Sequence, residues 1–99
     1  MPSYVLITGA LGGIGTCMAH ELARRGYPLW LVDQRPDEQA FAGEIQRTYG
    51  VETRFTALDV TSAPARGDFL QAQAADGSRF CGLIHIAGRD FEGAFLEKS

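Results

Sequence analysis

The stretch of this chain best suited to chemistry is "TGALGGIG" at residues 8–15, which has four glycines in eight positions directly after the apolar run "YVLI". A glycine inside a strand or helix costs roughly 0.5–1 kcal/mol relative to alanine, so a cluster of glycines needs a reason. Without side chains the backbone can approach a bound group closely, and a helix that begins behind such a loop offers free N–H groups to an anion. The stretch therefore predicts a site for a phosphate-bearing ligand.

The spacing of the glycines separates this loop from two well-defined phosphate loops. Neither the strict G-x-G-x-x-G pattern nor G-x-x-x-x-G-K-[ST] is present. Gly9, Gly13 and Gly15 follow Thr8 as T-G-x-x-x-G-x-G, and Gly12 also allows T-G-x-x-G-x-x-G. The alternative is a tight turn that binds nothing. A position between a strand and a helix favours the ligand-binding interpretation.

Strand-like and helical patterns alternate along the whole chain, and these elements must position the loop. The predicted strands are residues 3–8, 28–33, 51–58 and 80–87. The first helical pattern ends at Gly26, the second is capped by Asp37 and ends at Gly50, and the third ends at Gly77. The residues expected on the apolar face of the first helix are Ile14, Cys17, Met18 and Leu22. Strands alternating with helices of this length indicate parallel βαβ units with right-handed crossovers.

The composition of the strands predicts their order in the sheet. The run at residues 51–58 alternates apolar and polar side chains, which is typical of a half-exposed edge, whereas the other three runs are nearly continuously apolar. The order 3-2-1-4 places the third strand at an edge and the first in the middle, as in the first half of a doubly wound nucleotide-binding sheet. We therefore expect an α/β, Rossmann-type fold with three αβα layers and a parallel sheet.

Composition limits the partners and the compartment. The 99 residues carry a net charge of −3 and no basic stripe, so no nucleic-acid partner is expected. The apolar runs are far shorter than the ~20 residues of a membrane span, and no secretory signal pattern is present, so no membrane partner is expected. Cys17 and Cys81 are predicted to be small buried hydrophobic residues in a reducing compartment, which indicates a cytoplasmic protein.

Residues 8–15 resemble the cofactor loop of the classical short-chain dehydrogenases/reductases, and three further stretches agree in order and spacing. Asp33 ends the second strand about 20 residues beyond the glycines, where an acidic side chain meets the adenosine ribose. Asp59 and Val60 follow the third strand, where the family's Asp reaches the adenine ring. Residues 85–88, "HIAG", end the fourth strand, where the family usually has Asn-Asn-Ala-Gly. Residues 1–99 are thus expected to be a partial NAD(P)-binding domain without the catalytic half.

The resemblance implies a nicotinamide dinucleotide cofactor and a set of contacts carried over by position. The expected contacts are Gly9, Leu11, Gly13, Ile14 and Gly15 at the pyrophosphate, Asp33 at the ribose, Asp59 and Val60 at the adenine, and Ala87 and Gly88 beneath the adjoining ribose. NAD is the expected cofactor, because Asp33 would accept hydrogen bonds from free ribose hydroxyls and repel a 2′-phosphate. Arg35 could turn towards such a phosphate, which keeps NADP possible.

The catalytic residues of the family have no match in this sequence. Family members use a Tyr-x-x-x-Lys pair and a Ser, assisted by an Asn, whereas the only lysine here is Lys98. We expect a longer parent, a homo-oligomer like most of the family, that transfers hydride between nicotinamide and a small alcohol or carbonyl substrate. Two alternatives stay open: a truncated, non-enzymatic nucleotide-binding module, and part of an extended family member of the epimerase or dehydratase type.

The fourth predicted strand raises a question about the sheet edge. "FCGLIHIA" has the composition of a strand flanked on both sides, yet only the first strand is predicted beside it. The following "FEGAFLEKS" resembles the segment leading into the family's next helix, so no fifth strand is expected. An unpaired apolar edge invites pairing with another chain. We therefore expect the chain to self-associate or to be marginally stable.

Overall fold

The structure, a computed structural model, describes residues 3–37, 39–87 and 90–96. Strands and helices alternate through most of this range, as the sequence predicts. The elements are β1 (Ser3–Thr8), α1 (Gly13–Arg24), β2 (Leu29–Asp33), α2 (Phe41–Tyr49), β3 (Thr53–Ala57), α3 (Ala63–Asp76), β4 (Arg79–Ala87) and β5 (Asp90–Leu96).

The strands form one sheet in the order β3-β2-β1-β4-β5, which confirms the predicted order 3-2-1-4. β1 lies in the middle and pairs in parallel with β2 and with β4, so that Thr8 is level with Val32 on one side and His85 on the other. β3 pairs in parallel with β2, with Asp33 opposite Ala57. The carboxyl ends of β1, β2, β3 and β4 therefore lie along one edge of the sheet.

The expectation that β4 has an unpaired edge is wrong. Residues 91–96, part of the segment 91–99 that was expected to lead into a helix, lie in β5, which pairs antiparallel with β4 and has Ala94 opposite Ile84. The chain reverses direction directly after β4, so a neighbour for the second edge of β4 comes from the next few residues. The sheet is consequently mixed rather than wholly parallel, and the self-association argued from a bare β4 edge loses its basis.

The helix ends follow local hydrogen-bonding rules. The Asp37 carboxylate accepts from the N–H groups of Phe41 and Ala42 at 2.8 and 3.0 Å, so it caps α2 as predicted. The Ser62 side chain accepts from the N–H of Ala65 and begins α3. These caps fix the starts of the two helices that cross over from β2 and β3.

The sheet face that carries α1 and α2 buries the larger apolar cluster. Its fully or nearly fully buried members include Val5, Ile7, Ala19, Leu22, Leu29, Leu31, Ile45 and Ile84. The predicted apolar face of α1 is only partly correct, because the buried residues of that helix are Gly15, Ala19, Leu22 and Ala23. The prediction that both cysteines are buried is wrong, because Cys17 is exposed and Cys81 is half-buried; both are free thiols. Small residues, rather than the larger apolar ones, thus bring α1 close to the sheet.

The opposite face of the sheet carries α3 and is built from aromatic side chains. Tyr4 and Trp30 are buried there with their rings edge to face, 5.4 Å apart, and Phe69 of α3 packs 5.2 Å from the ring of Trp30. None of the α3 residues reaches full burial. Helices therefore cover both faces, which gives the three expected layers.

Candidate functional site

A cleft of about 370 Å³ lies at the carboxyl ends of the parallel strands, over the point where β1 meets β2 and β4. The crossover helix after β1 and the crossover helix after β3 lie on opposite faces of the sheet. Doubly wound sheets bind ligands at the point where the crossovers change face. The walls comprise Gly9, Gly12, Asp33, Gln34, Arg35, Leu58, Asp59, Val60, Thr61, His85 and Ile86. The strand order thus gathers residues from four separate stretches of the chain.

Two of the loop glycines are required by close backbone packing. Gly9 has a φ of +70°, and a Cβ at this position would lie 2.7 Å from the carbonyl oxygen of Ile86. A Cβ on Gly15 would overlap the carbonyl oxygen of Gly9 and lie 2.8 Å from the Cα of Ala10. Real Cβ atoms do not approach backbone atoms this closely. These two glycines therefore let the loop fold against β4 and against the start of α1.

Gly13 plays a different part, because it does not serve the fold of the loop. A Cβ there would meet no atom within 4 Å, in contrast to Gly15. Gly13 is the first residue of α1, and no side chain caps that helix at Gly12. The first N–H groups of a helix carry the positive end of its dipole. The start of α1 thus presents backbone donors at the surface, with space in front of them.

Asp33 is the most heavily hydrogen-bonded acid in the cleft. Its side chain is 6% exposed and accepts from the N–H groups of Leu11 and Arg35, both at 3.0 Å, and from the Arg35 guanidinium at 3.2 and 3.4 Å. Burial acts to raise the pKa of the carboxyl, but these hydrogen bonds outweigh it and hold the pKa below its usual value. Asp33 is therefore ionised at neutral pH, and it ties the glycine loop to the end of β2.

Asp59 also lines the cleft and is held by hydrogen bonds within its own turn. One carboxylate oxygen accepts from the hydroxyl and the N–H of Thr61, at 2.6 and 3.0 Å, and these bonds lower the pKa of Asp59. The carbonyl oxygen of the neighbouring Val60 accepts from the Arg66 guanidinium at 2.6 Å. The segment after β3 thus has a defined shape and places an exposed carboxylate and an apolar side chain beside the cleft.

His85 contacts the strand that precedes the glycine loop. Its Nδ1 lies 2.7 Å from Thr8 Oγ1, and the N–H of Ile86 donates to the same oxygen at 3.4 Å. A threonine hydroxyl can both donate and accept, so this contact is available to either tautomer of the imidazole. The Thr8–His85 pair links β1 to β4, and His85 also lines the cleft.

The structure brings together most of the residues that the sequence singles out. Gly9, Asp33, Asp59 and Val60 line the cleft, and Leu11 joins it through its N–H bond to Asp33.

The other predicted site residues lie near the cleft or beyond the described residues. Ile14, 40% exposed, lies with Gly13 and Gly15 in the first turn of α1. Ala87 ends β4, and Gly88 lies outside the described residues. Their roles towards a ligand stay predictions.

Some residues of the cleft were not identified from the sequence. Gln34, Leu58, Thr61 and His85 all line it. The signal available for Gln34, Leu58 and Thr61 was their position directly after β2 and β3, at the ligand-binding edge of the sheet. In the described part of the chain, no three or more His, Cys, Asp or Glu side chains are grouped so that they could hold a metal ion, and no helix is long and apolar enough to cross a membrane.

Comparison with known proteins agrees with this geometry. The family model described as "short chain dehydrogenase" matches residues 3–99. The very-long-chain 3-oxoacyl-CoA reductase of Bos taurus is 37% identical over 90 residues, which are 90% of this chain and 28% of the bovine protein. Curated relatives of this kind are therefore several times longer than the chain.

Solved structures give the same result at the level of the fold. The bulky-bulky ketone specific alcohol dehydrogenase from Comamonas testosteroni superposes with a TM-score of 0.74 at 28% identity, over 99% of this chain and 40% of that one. A short-chain dehydrogenase from Sphingobium yanoikuyae in complex with NADPH superposes with a TM-score of 0.58 at 35% identity, over 69% of this chain and 27% of that one. Together with the family match, the glycine loop and the order of the strands, these likenesses show that the chain belongs to the classical short-chain dehydrogenase/reductase family and corresponds to its N-terminal, Rossmann-fold portion.

Proposed function

We propose that this chain binds a nicotinamide dinucleotide in the cleft at the carboxyl ends of β1, β2 and β4, and that it does so as part of a longer oxidoreductase. The observation that carries the proposal is the convergence of three separate groups on one cleft: the glycine loop, the ionised Asp33 and the ordered turn at Asp59. Each group has the chemistry for one portion of a dinucleotide. Their order along the cleft is the order of those portions in the cofactor.

The pyrophosphate is assigned to the start of α1. The loop from Gly9 to Gly15 presents backbone without side-chain obstruction, and the space in front of Gly13 admits a bulky group. Backbone N–H groups at the first turn of α1, around Ile14, supply hydrogen bonds, and the helix dipole favours the two negative charges. The exposed Ile14 side chain covers the bound group on its solvent side.

The adenosine is assigned to the ends of β2 and β3. Asp33 accepts hydrogen bonds from the ribose hydroxyls, because its carboxylate is ionised and faces the cleft. Asp59 and Val60 lie along the adenine ring, with the carboxylate available to the exocyclic amino group and the apolar side chain against the ring face. Ala87 and Gly88 are assigned to the second ribose on the resemblance alone, through the match of residues 85–88 to the family's motif.

NAD is proposed over NADP, on the charge of Asp33. A carboxylate that is 6% exposed has little solvent to screen its repulsion of a 2′-phosphate. Arg35 is the residue that favours NADP, since its guanidinium is 60% exposed and lies beside the same ribose position. The Sphingobium relative is in complex with NADPH, so members of the family accept the phosphorylated cofactor as well.

The bound nicotinamide would supply hydride transfer to or from a small alcohol or carbonyl compound. The residues of this chain would hold and orient the cofactor, whereas the acid–base pair of Tyr and Lys is expected in later sequence of the parent. A homo-oligomeric parent is likewise proposed from the resemblance. The two free cysteines, one of them exposed, support a reducing compartment such as the cytoplasm.

Titration of the chain with NAD and with NADP tests this function. We expect saturable binding of NAD, weaker binding of NADP, loss of both in Gly13→Val, and reduced discrimination in Asp33→Ala. Because Gly13 has open space around it, the valine variant should fold normally, and its thermal unfolding serves as the check. Normal dinucleotide binding by Gly13→Val would show that the pyrophosphate is misplaced. Failure of the wild-type chain to bind either cofactor would favour a module that does not bind nucleotides.

A further inference from the structure

The Asp33 carboxylate has no acceptor position left for a ligand in the structure. An ionised carboxylate offers about four lone-pair positions on its two oxygens. Oδ1 accepts from the N–H and the Nε–H of Arg35, and Oδ2 accepts from the N–H of Leu11 and from Nη2 of Arg35. Four donors thus occupy about four positions, so ribose hydroxyls can bind only where a present donor leaves.

The four donors differ in how easily they can leave. The N–H of Leu11 belongs to the glycine loop, and the N–H of Arg35 belongs to the turn that follows β2, so both are held by the backbone. The two guanidinium bonds are longer, at 3.2 and 3.4 Å, and belong to a side chain that is 60% exposed. Partly exposed ion pairs contribute little to stability. The guanidinium is therefore the group that can be displaced.

We propose that the Arg35 guanidinium holds, in the free protein, the two acceptor positions on Asp33 that the adenosine ribose hydroxyls take when NAD binds. The inference rests on the proposed function and adds a specificity-determining role for Arg35. Two N–H donors on one exposed side chain are exchanged for two O–H donors on the ribose, and the two backbone bonds to Asp33 remain. Arg35 therefore competes with NAD for Asp33.

The displaced guanidinium has a place to go. A second cavity of about 440 Å³ adjoins the cleft, with Arg35 in the wall of both, and Asp37 lies in its wall as well. The Asp37 carboxylate caps α2 but has lone-pair positions beyond the two bonds to Phe41 and Ala42. We expect the released guanidinium to pair with the 2′-phosphate when NADP is the ligand. The same side chain consequently weakens NAD binding and strengthens NADP binding.

Arg35→Met tests the competition, because methionine keeps an apolar stem and removes both donors. We expect this variant to bind NAD about two- to fivefold more tightly than the wild type, as the removal of one partly exposed ion pair implies, and to bind NADP more weakly. Arg35→Lys keeps the charge without the planar fork, so it should also bind NAD more tightly. Arg25→Met is the matched control, since Arg25 forms an exposed ion pair with Glu21 on α1, outside the residues that line the cleft.

The possible outcomes separate this inference from the proposed function. NAD binding that is unchanged or weaker in Arg35→Met, while the wild type binds NAD, overturns the competition and leaves the function standing. No binding of either dinucleotide by any variant overturns both. A second readout on the wild type needs no variant: the Nε–H resonance of Arg35 in a ¹H–¹⁵N spectrum should shift when NAD is added. A resonance that stays in place at saturating NAD would show that Arg35 is not displaced.

Discussion

The two faces of the sheet are built in different ways, although the same strands contribute to both. On the face of α1 and α2, aliphatic side chains such as Ile7 and Leu31 are fully buried, and small residues of α1 let that helix approach closely. On the face of α3, the buried residues are mainly aromatic, and the helix contributes the half-buried Phe69. The first face therefore depends on close packing, and the second on large rings.

The aromatic side chains of the α3 face also make polar contacts. Trp30 donates from Nε1 to Thr56 Oγ1 at 2.9 Å, and the Arg54 guanidinium lies 5.0 Å from the Trp30 ring and 5.2 Å from the Tyr4 ring. Arg54 also pairs with Asp76 at the end of α3, at 2.6 Å. Aromatic rings with such polar partners tolerate partial exposure better than aliphatic side chains do.

This difference in packing explains why the geometry of the candidate site depends more on the aliphatic face, which carries α1, than on the aromatic face. The glycine loop continues directly into α1, so the position of the backbone donors depends on how tightly α1 packs against β1. A loosely packed α1 would move the loop by amounts that matter for hydrogen bonding. Among the described residues, Leu58 and Val60 are the members of the aromatic face that also line the cleft.

The largest expected effect comes from Leu31→Ala on the aliphatic face. Leu31 is fully buried, so the variant should lose about 2–5 kcal/mol of unfolding free energy from lost burial and the cavity that remains. Phe69→Ala removes a larger side chain from the aromatic face, but that residue is only half-buried and should cost less. Urea denaturation of both variants measures the difference. An equal or greater loss in Phe69→Ala would contradict the comparison.

Two glycine substitutions at the start of α1 are expected to have opposite signs. Gly15→Ala places a methyl group against the backbone of Gly9 and Ala10, so it should destabilise the chain by about 1–3 kcal/mol and disturb the loop. Gly13→Ala meets open space and should stabilise α1 slightly, by roughly 0.5–1 kcal/mol. Thermal unfolding of the two variants gives the sign directly. A stable Gly15→Ala would mean that α1 packs less tightly than described.

A smaller effect is expected where Arg54 bridges β3 and α3. Arg54→Met keeps an apolar stem above the Trp30 ring but loses the cation–π contact, which is worth about 0.5–1 kcal/mol at a partly exposed site. Arg54→Lys should recover part of the loss. Near-ultraviolet circular dichroism reports on Trp30 itself, and an unchanged spectrum in Arg54→Met would show that the guanidinium does not order the ring.

Acid should weaken the aromatic face through Asp76. Hydrogen bonds from the Arg54 and Ser78 side chains hold the pKa of Asp76 below its usual value. A carboxyl whose pKa is lowered by folding contributes stability that is present above the unfolded-state pKa and is lost as the pH falls through the folded value. We therefore expect stability to fall below about pH 4 more steeply in the wild type than in Asp76→Asn. If the unfolding free energies of the two proteins fell equally steeply with pH, Asp76 would not be the source of the acid sensitivity.

The smallest effect is expected at Glu21 on the outer surface of α1. The Arg24 and Arg25 side chains donate to this carboxylate and lower its pKa to about 2. All three groups are exposed, and salt screens such pairs. Glu21→Gln should therefore leave the melting temperature within the scatter of repeated measurements. A clear loss of stability would show that packing of α1 depends on its outer surface as well.

Much of the fold could be predicted from the sequence because the decisive signals are local. Apolar runs bounded by glycine and capping residues define β1, β2 and β4, and the alternation in residues 51–58 indicates the edge position of β3. The glycine loop could be located because it lies between a strong strand signal and a helical pattern. Asp33 and Asp59 could be placed at the cleft because their positions after the second and third strands match motifs of the family that the sequence resembles, and parallel strands align their carboxyl ends.

The remaining features depend on contacts between distant residues. β5 has a glycine and charged residues in a short segment, and only its pairing with β4 makes it a strand. The buried side of α1 was misassigned because Gly15 and Ala19 carry little hydrophobic signal, although they pack most closely. The pairing of Arg35 with Asp33 depends on a side-chain rotamer, which sequence spacing does not specify.

The central position of β1 has a consequence for the order in which the protein can assemble during synthesis. The partners of β1 are made later: β2 begins at Leu29 and β4 at Arg79. An emerging chain can pair the first two strands early, but the carbonyl of Ile86 that lies against Gly9 is made only after α1, α2 and α3. Long-range pairing of this kind slows folding. The walls of the cleft that β4 supplies are therefore among its late-forming parts, and the cleft stays incomplete until β4 lies beside β1.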